Sequence, residues 1–305
     1  MLEWNKKCVK VMLLFKNFRL LESIQGFFPT LFIIVIFNPS PFLSLNYLPL
    51  FSLFISIILA HQFVYIINDY YDYPTDSNNP RKGYTKKLSQ NKRSFLIFLI
   101  ILFNLFTFKI YSDYFIILAL NSFFFFLGLL YSHPIPHFKG HKILSLFTHF
   151  LYGFLGSTLG YFILKELDLI KTINPFLFAL SGTTFGFLFL AGSIMSVILD
   201  KNLEPKSWLT KSASTPIKYY KYTLYSIIFL LFLFYLIQLK GHTFSLVPSF
   251  LFMIFALYKI FKKAHLCKRS QKASIFIRNN IRLYFFLFFL FQIIYKITIF
   301  FGIKK

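Results

Sequence analysis

The sequence predicts an all-α membrane protein, because most of the chain is apolar and its charged residues fall between long apolar runs. Hydrophobic residues make up 57% of the 305 residues and charged residues only 14%, whereas soluble domains carry about 25% charged residues. A compact soluble fold of this length has too little interior to bury so much apolar surface, so we expect lipid to cover it. The composition therefore argues against a soluble enzyme and indicates a polytopic membrane protein.

Nine apolar runs are long enough to cross a bilayer, whose hydrocarbon core needs roughly 20 mostly apolar residues per helix. The third run is the weakest, because Asn104 interrupts it and only residues 109–113 separate it from the fourth. No linker or separate soluble segment stands out, so we expect residues 1–305 to form a single membrane-embedded domain. The nine helices are expected, in one bundle, at about 20–37, 47–68, 95–112, 114–131, 143–164, 175–199, 219–239, 244–261 and 283–301.

The basic residues predict the orientation of these helices. Lysine and arginine number 33 against 10 aspartate and glutamate residues, a formal net charge of +23. Such a balance often indicates nucleic-acid binding, but 26 of the 33 basic residues lie in the N-terminal tail and in every second predicted loop. Basic loops stay in the cytoplasm and attract anionic lipid, so we expect a cytoplasmic N-terminus, an external C-terminus, and a lipid bilayer rather than nucleic acid as partner. The expected location is the cytoplasmic or plasma membrane.

Five of the ten acidic residues form two clusters. Asp69, Asp72 and Asp76 follow the second predicted helix, and Asp200 and Glu204 follow the sixth. An even number of helices separates the clusters, so we expect both at the cytoplasmic face. Asp72 and Asp76 are four residues apart, as are Asp200 and Glu204, so each pair shares one face of a helix.

This pattern of charges indicates a site for a metal and a phosphate group. Carboxylates one turn apart repel each other at the negative end of a helix, so a cation is needed to neutralise them. Asn68, four residues before Asp72, adds an amide oxygen, and oxygen ligands suit Mg²⁺. Arg81, Lys82 and Lys206 lie beside the clusters and offer donors to phosphate. We therefore expect a diphosphate on an apolar tail to bind at the mouth of the bundle. A solvated, charge-balanced loop after each helix is the competing interpretation, which a single cluster would favour.

At these residues the chain resembles the UbiA-type intramembrane prenyltransferase family. The family's first motif, Asn-Asp-x-x-Asp-x-x-x-Asp at the end of the second helix, is matched in full by residues 68–76. Its second, commonly Asp-x-x-x-Asp at the end of the sixth helix, is matched by Asp200 with Glu204 in the second acidic place. A Tyr-Ser-x-Pro stretch leading to a basic residue after the fourth helix is matched from Tyr131 to Lys139. The family's nine-helix bundle also agrees with the count predicted here, so the resemblance spans nearly the whole chain.

The chain departs from the family pattern in two places. Members usually follow the second acid with Arg, Gly and Thr, where this chain has Pro205, Lys206 and Trp208. Many members carry Arg seven residues before the first motif, where this chain has His61. A neutral imidazole binds a carboxylate less firmly than a guanidinium does, so these differences leave the acceptor and the level of activity open.

The resemblance implies a reaction type and a role for each matched residue. Mg²⁺ bridges the diphosphate of an isoprenoid donor, the allylic C–O bond ionises, and the cation alkylates a lipophilic or aromatic acceptor, most commonly a quinone precursor. The implied catalytic residues are Asp72, Asp76 and Asp200. The implied ligands of the metal are Asn68, Asp72, Asp76, Asp200 and Glu204. The implied substrate-binding residues are His61, Asn68, Asp69, Arg81, Lys82, Tyr131, Lys139 and Lys206.

Two other functions stay open at this stage. A cation-coupled transporter would use the acidic residues as a cation site, but transport favours ionisable groups near the helix centres, whereas these lie at the cytoplasmic ends. A catalytically inactive protein that binds isoprenoid lipid is compatible with the altered second motif.

Overall fold

The computed structural model describes residues 20–37, 47–72, 89–110 and 114–200, together with scattered helical positions between 219 and 287. Every regular element within the four continuous stretches is helical, which confirms the predicted all-α class. The predicted seventh to ninth helices lie outside these stretches.

Six α-helices and a short 3₁₀ turn follow one another in the described stretches. The third and fourth predicted helices are separate elements, and Tyr114 just before the fourth is not helical. The third helix begins at Gln90 rather than near residue 95, because its first turn is polar and was not part of the apolar run. The elements are α1 (Leu20–Phe37), α2 (Tyr47–Tyr71), α3 (Gln90–Ile110), α4 (Phe115–Ser132), the 3₁₀ turn (Phe138–Gly140), α5 (Lys142–Glu166) and α6 (Pro175–Asp200).

Four segments within the described part of the chain are long and apolar enough to cross a bilayer, and a shorter apolar segment, Gly26–Phe37, lies in α1. Large apolar side chains stay exposed on the helices, among them Phe106 at 59% and Phe115 at 76%. A helix surface that faces lipid tolerates such side chains, so these features are those of an integral, multi-pass membrane protein. The four segments are Leu53–Tyr71, Phe115–Ser132, Lys142–Glu166 and Pro175–Ile194.

The helices fall into two compact units, one of residues 1–28 with 44–148 and the other of residues 29–43 with 149–305. In the first unit α2 packs against both α3 and α4. Apolar side chains fill the interface between α2 and α3. They are Phe63, Ile66 and Ile67 on α2 with Ile100 on α3.

Within the first unit α2 and α4 run in the same direction, because the contacts between them advance along both helices together. This parallel alignment brings the C-terminal ends of α2 and α4 to the same end of the unit. The ring contacts are His61 with Phe124 at 4.9 Å, Phe63 with Phe125 at 4.8 Å and Tyr71 with His133 at 5.2 Å between centroids.

A buried cluster of polar side chains joins α2, α3 and α4. Ser56 donates a hydrogen bond to Asn104 Oδ1 (2.7 Å) and lies 3.2 Å from the hydroxyl of Thr107. Asn121 donates to Ser56 (2.8 Å) and to Asn104 Oδ1 (3.2 Å). Asn104 thus lies within a continuous helix although it interrupts the third apolar run. Its amide finds partners on neighbouring helices, as polar groups buried in membrane proteins commonly do.

In the second unit, small residues allow the helices to approach closely. The hydroxyl of Thr30 donates to the carbonyl of Gly156 (2.8 Å). A Cβ atom on Gly160 would lie 2.7 Å from the carbonyl oxygen of Thr30. A Cβ atom on Gly153 would overlap the backbone carbonyl of Phe185 in α6. Small residues of this kind are the usual contact points of membrane helices, where packing replaces the hydrophobic effect.

We expect Gly153→Ala to destabilise the protein by about 1–3 kcal/mol, because the added methyl group meets a backbone atom that cannot rotate away. Gly192→Ala is the matched control in α6, since a Cβ atom there meets nothing within 4 Å, and it should be neutral or stabilise by up to about 1 kcal/mol through helix propensity. Thermal unfolding of the purified variants in one detergent measures both. Equal melting temperatures for the two variants would contradict the close approach of α5 and α6.

Candidate active site

The first acidic motif lies at the C-terminal end of α2. The helical hydrogen bonding continues to Asp72, whose N–H donates to the carbonyl of Asn68 at 2.9 Å. Asn68 and Asp72 therefore lie one turn apart on the same face of the helix, as the spacing predicts. Asp76 lies outside the described residues.

Asn68 and Asp69 differ in surroundings although they are adjacent. The side-chain oxygen of Asn68 is buried and accepts no hydrogen bond from the described residues. A buried amide oxygen without a donor costs free energy unless a ligand or water fills the position. Asp69 is 6% exposed, and its backbone carbonyl accepts a hydrogen bond of 3.5 Å from Nη1 of Arg93. The backbone carbonyl of Asp69 thus faces α3, while the side-chain oxygen of Asn68 is an acceptor without a donor among the described residues.

Asp72 forms an ion pair with Lys139, 67 positions further along the chain. The Nζ–Oδ2 distance is 2.5 Å, and the two side chains are 13% and 20% exposed, respectively. A charge-assisted hydrogen bond at this degree of burial is stronger than a surface ion pair, because little water screens it. The sequence placed Lys139 in the substrate site through the Tyr-Ser-x-Pro stretch, and the structure brings it to the acidic motif.

A compact turn after α4 presents Lys139 to Asp72. The N–H of His133 closes α4 on the carbonyl of Leu129 at 2.8 Å. His137 then adopts a left-handed conformation with φ of 39°, and the 3₁₀ turn follows. The imidazole of His137 packs over Gly140 in this turn, where a Cβ atom would require it to move. The short loop and the ring contact between Tyr71 and His133 hold the lysine beside the end of α2.

Tyr131 and Ser132 form the last turn of α4, at the same end of the first unit as Asp72. Tyr131 is half-buried, and Ser132 is 4% exposed. The hydroxyl of Ser132 has no hydrogen-bond partner among the described residues. Because α2 and α4 are parallel, the hydroxyl of Ser132 lies near the level of the last turn of α2. Like the side-chain oxygen of Asn68, it is a buried polar atom for which the described residues provide no hydrogen bond.

His61 lies two turns before Asn68 on α2 and is 4% exposed. Its Nδ1 is 2.9 Å from the carbonyl oxygen of Ile57, so Nδ1 is the donor in this contact. The imidazole packs against Phe124 and fits over Gly26 of α1, where a Cβ atom would overlap it. A buried, tightly packed histidine therefore stands where many members of the resembled family have arginine.

The remaining predicted site residues are not all described. Among the described residues, no three His, Cys, Asp or Glu side chains come together as a metal site. Asp200 is the last residue of α6, and its side chain is not described. The convergence of the two acidic clusters therefore stays a prediction. Outside the described residues lie Asp76, Arg81, Lys82, Glu204 and Lys206.

Arg93 is a residue that the sequence reasoning missed. It was counted only as one of the basic residues of a loop, yet its side chain in the first turn of α3 is 3% exposed. The signal was present in its spacing, because Arg93 begins a stripe of residues, three or four apart, that α3 buries. The stripe comprises Arg93, Ile97, Ile100, Asn104 and Thr107, with Ile97 less deeply buried than the others.

Comparison with known families identifies this arrangement. The model of the UbiA prenyltransferase family matches residues 27–291, which includes both acidic motifs and the turn that carries Lys139. The chain belongs to the UbiA prenyltransferase family. UbiA members are transferases, so the chain is assigned to the prenyltransferases. No curated protein matches the sequence.

Solved UbiA structures share the fold at low sequence identity. A digeranylgeranylglyceryl phosphate synthase has a TM-score of 0.61 and 14% identity, covering 95% of this chain and 99% of its own. A UbiA homologue from Archaeoglobus fulgidus bound to Cd²⁺ has a TM-score of 0.58 and 14% identity, with 92% and 97% covered. The same homologue bound to GPP and Mg²⁺ has a TM-score of 0.55 and 14% identity, with 91% and 98% covered. At this identity the likeness shows the fold alone.

Proposed function

We propose that the chain is a Mg²⁺-dependent intramembrane prenyltransferase that moves an isoprenoid chain from an allylic diphosphate to a lipophilic or aromatic acceptor. Family membership supports the transfer reaction, and related structures that hold GPP or DMAPP with Mg²⁺ support the donor and the metal. The main structural support is the ion pair between Asp72 and Lys139. It lies one helical turn from Asn68, whose side-chain oxygen accepts no hydrogen bond from the described residues. A precursor of a quinone is our proposed acceptor.

The residues at the end of α2 fit a magnesium ion. Asp72 offers a carboxylate and Asn68 a buried amide oxygen to which no described residue donates, and Mg²⁺ prefers oxygen ligands. We propose that Asp76, Asp200 and Glu204 complete the acidic set. When bound, the metal would neutralise the charge that grows on the diphosphate as the C–O bond breaks.

Lys139 supplies the complementary charge from the protein. Its ammonium group lies 2.5 Å from Asp72, so it would be within reach of the phosphate oxygens of a diphosphate held at this end of α2. As the allylic C–O bond breaks, the departing oxygen gains negative charge, and a fixed cation stabilises that charge more in the transition state than in the ground state. The apolar helices keep water from the allylic cation until the acceptor attacks it.

We also propose nine transmembrane helices in one domain of residues 1–305, with a cytoplasmic N-terminus and an external C-terminus. The distribution of basic residues supports this orientation, which places the ion pair at the cytoplasmic side of a cytoplasmic or plasma membrane.

Arg81, Lys82 and Lys206 are proposed as further phosphate ligands. Tyr131 and His61 are proposed to contact the substrates. The uncharged polar cluster within the helices of the first unit does not favour a cation-coupled transporter.

Asp72→Asn should lower the Mg²⁺-dependent release of diphosphate from an allylic donor by at least about 100-fold, because it removes a charged ligand while keeping the shape of the side chain. Asp168→Asn is the matched control: Asp168 is exposed and has φ of 52°, which asparagine also accepts. The measurement is diphosphate release by purified protein in detergent with GPP or DMAPP and an aromatic acceptor that takes up the allylic group, with and without Mg²⁺. An unchanged rate in Asp72→Asn would refute the metal assignment.

Lys139→Met should have opposite effects on metal binding and on catalysis. Removing the ammonium group frees the Asp72 carboxylate, so we expect Mn²⁺ alone to bind several-fold more tightly while diphosphate release slows by about 10–1,000-fold through loss of a charge-stabilising donor. Lys165→Met, at the exposed end of α5, is the charge-matched control. Titration of the protein with Mn²⁺, followed by its electron paramagnetic resonance signal, measures the first effect. Weaker Mn²⁺ binding in Lys139→Met would contradict competition for Asp72.

A further inference from the structure

Arg93 is a buried cation where α3 meets the end of α2, which carries the start of the first acidic motif. Its side chain is 3% exposed, whereas Lys92 and Ser94 on either side are exposed. For packing alone, this first position of the buried stripe of α3 would suit a leucine. A guanidinium group is costly to remove from water unless acceptors replace its hydration, so the surroundings of Arg93 must supply them.

The last turn of α2 supplies one such acceptor. A helix leaves its final carbonyl groups without helical partners and carries partial negative charge at that end. Nη1 of Arg93 lies 3.5 Å from the carbonyl oxygen of Asp69. One turn earlier on α3, Nε2 of Gln90 donates to the hydroxyl of Tyr70 at 3.0 Å. The first turn of α3 therefore holds the last turn of α2 at two neighbouring residues.

The acidic motif makes this support necessary. Asp69 and Asp72 are three residues apart, so their charges repel each other and add to the negative end of the helix. That repulsion favours unwinding of the turn that sets the positions of Asn68 and Asp72. Arg93 opposes it from the side of α3, while Lys139 pairs with Asp72 from the side of α4. Arg93 has a fixed, planar set of donors, which lysine does not have.

We infer that Arg93 is a positioning residue for the metal–diphosphate site, acting on the ligands Asn68 and Asp72 through the backbone of Asp69. This inference rests on the proposed function, since it names what holds the proposed ligands in place. Arg93 itself touches neither substrate nor metal in this assignment. Its contribution is to keep the end of α2 helical despite the charge density of the motif.

The test compares Arg93→Met, Arg93→Lys and the neighbouring exposed control Lys92→Met in the full-length protein in detergent. Binding of Mn²⁺ in the presence of inorganic pyrophosphate is measured by electron paramagnetic resonance, alongside the melting temperature and the metal dependence of diphosphate release. We expect Arg93→Met to weaken Mn²⁺ binding by about 10–100-fold, as the loss of a group that orients metal ligands typically does. Arg93→Lys should recover part of that loss, and Lys92→Met should bind like the wild type.

Each outcome decides between roles. An Arg93→Met protein that melts earlier but binds Mn²⁺ as the wild type does has lost only stability, and the inference is wrong. Tighter Mn²⁺ binding by Arg93→Met would mean that Arg93 merely repels the metal, and this result would also contradict the inference. If Arg93→Met does not fold, Arg93→Lys and Gln90→Ala provide the same comparison, with weaker Mn²⁺ binding expected in both and wild-type binding contradicting the inference. Absence of Mn²⁺ and pyrophosphate binding in the wild type would instead refute the proposed site, so the two failures are distinguishable.

Discussion

α2 and α4 lie side by side with their C-terminal ends together, because aromatic contacts and a buried polar cluster align them along their length. The acidic motif ends one helix and the Tyr-Ser-x-Pro stretch follows the other, so this alignment brings together residues that are far apart in sequence. Reversing one helix would separate Lys139 from Asp72 by the thickness of the membrane. The chemistry proposed for this protein depends on that single packing direction.

The first unit separates its polar groups by charge. Neutral side chains occupy the interior of the helices, where Ser56, Asn104 and Asn121 bond to one another. Charged side chains lie at the ends, where Asp72 pairs with Lys139 and Arg93 meets the end of α2. This division follows from solvation, because a neutral amide needs only a hydrogen-bond partner in an apolar interior, whereas an ion needs an opposite charge as well. Charged groups are thereby confined to the ends of the helices, and the interior between α2, α3 and α4 contains polar but uncharged side chains.

Much of the fold could be predicted from the sequence, because the length of an apolar run is set by the bilayer. The all-α class and the separation of α3 from α4 follow from that constraint. The placement of Asn68 and Asp72 on one face followed from their spacing in a continuous helix. The burial of Arg93 could not be predicted from the sequence. A charged residue just before an apolar run is expected to lie in a loop, and only the structure shows that the helix already begins at Gln90. The hydrogen bonds of Asn104 could not be predicted either, because its partners Ser56 and Asn121 lie on other helices.

The pairing of Lys139 with Asp72 gives the proposed site a built-in coupling between metal and diphosphate. One ammonium group cannot neutralise the carboxylate and the phosphate oxygens fully at the same time, so a diphosphate that attracts Lys139 releases Asp72 to the metal. By linkage, the metal must then favour diphosphate to the same degree that diphosphate favours the metal. A site of this kind binds the two together more readily than either alone. Reactive charge is therefore assembled only when the donor is in place, which suits a reaction whose cation must meet an acceptor before it meets water.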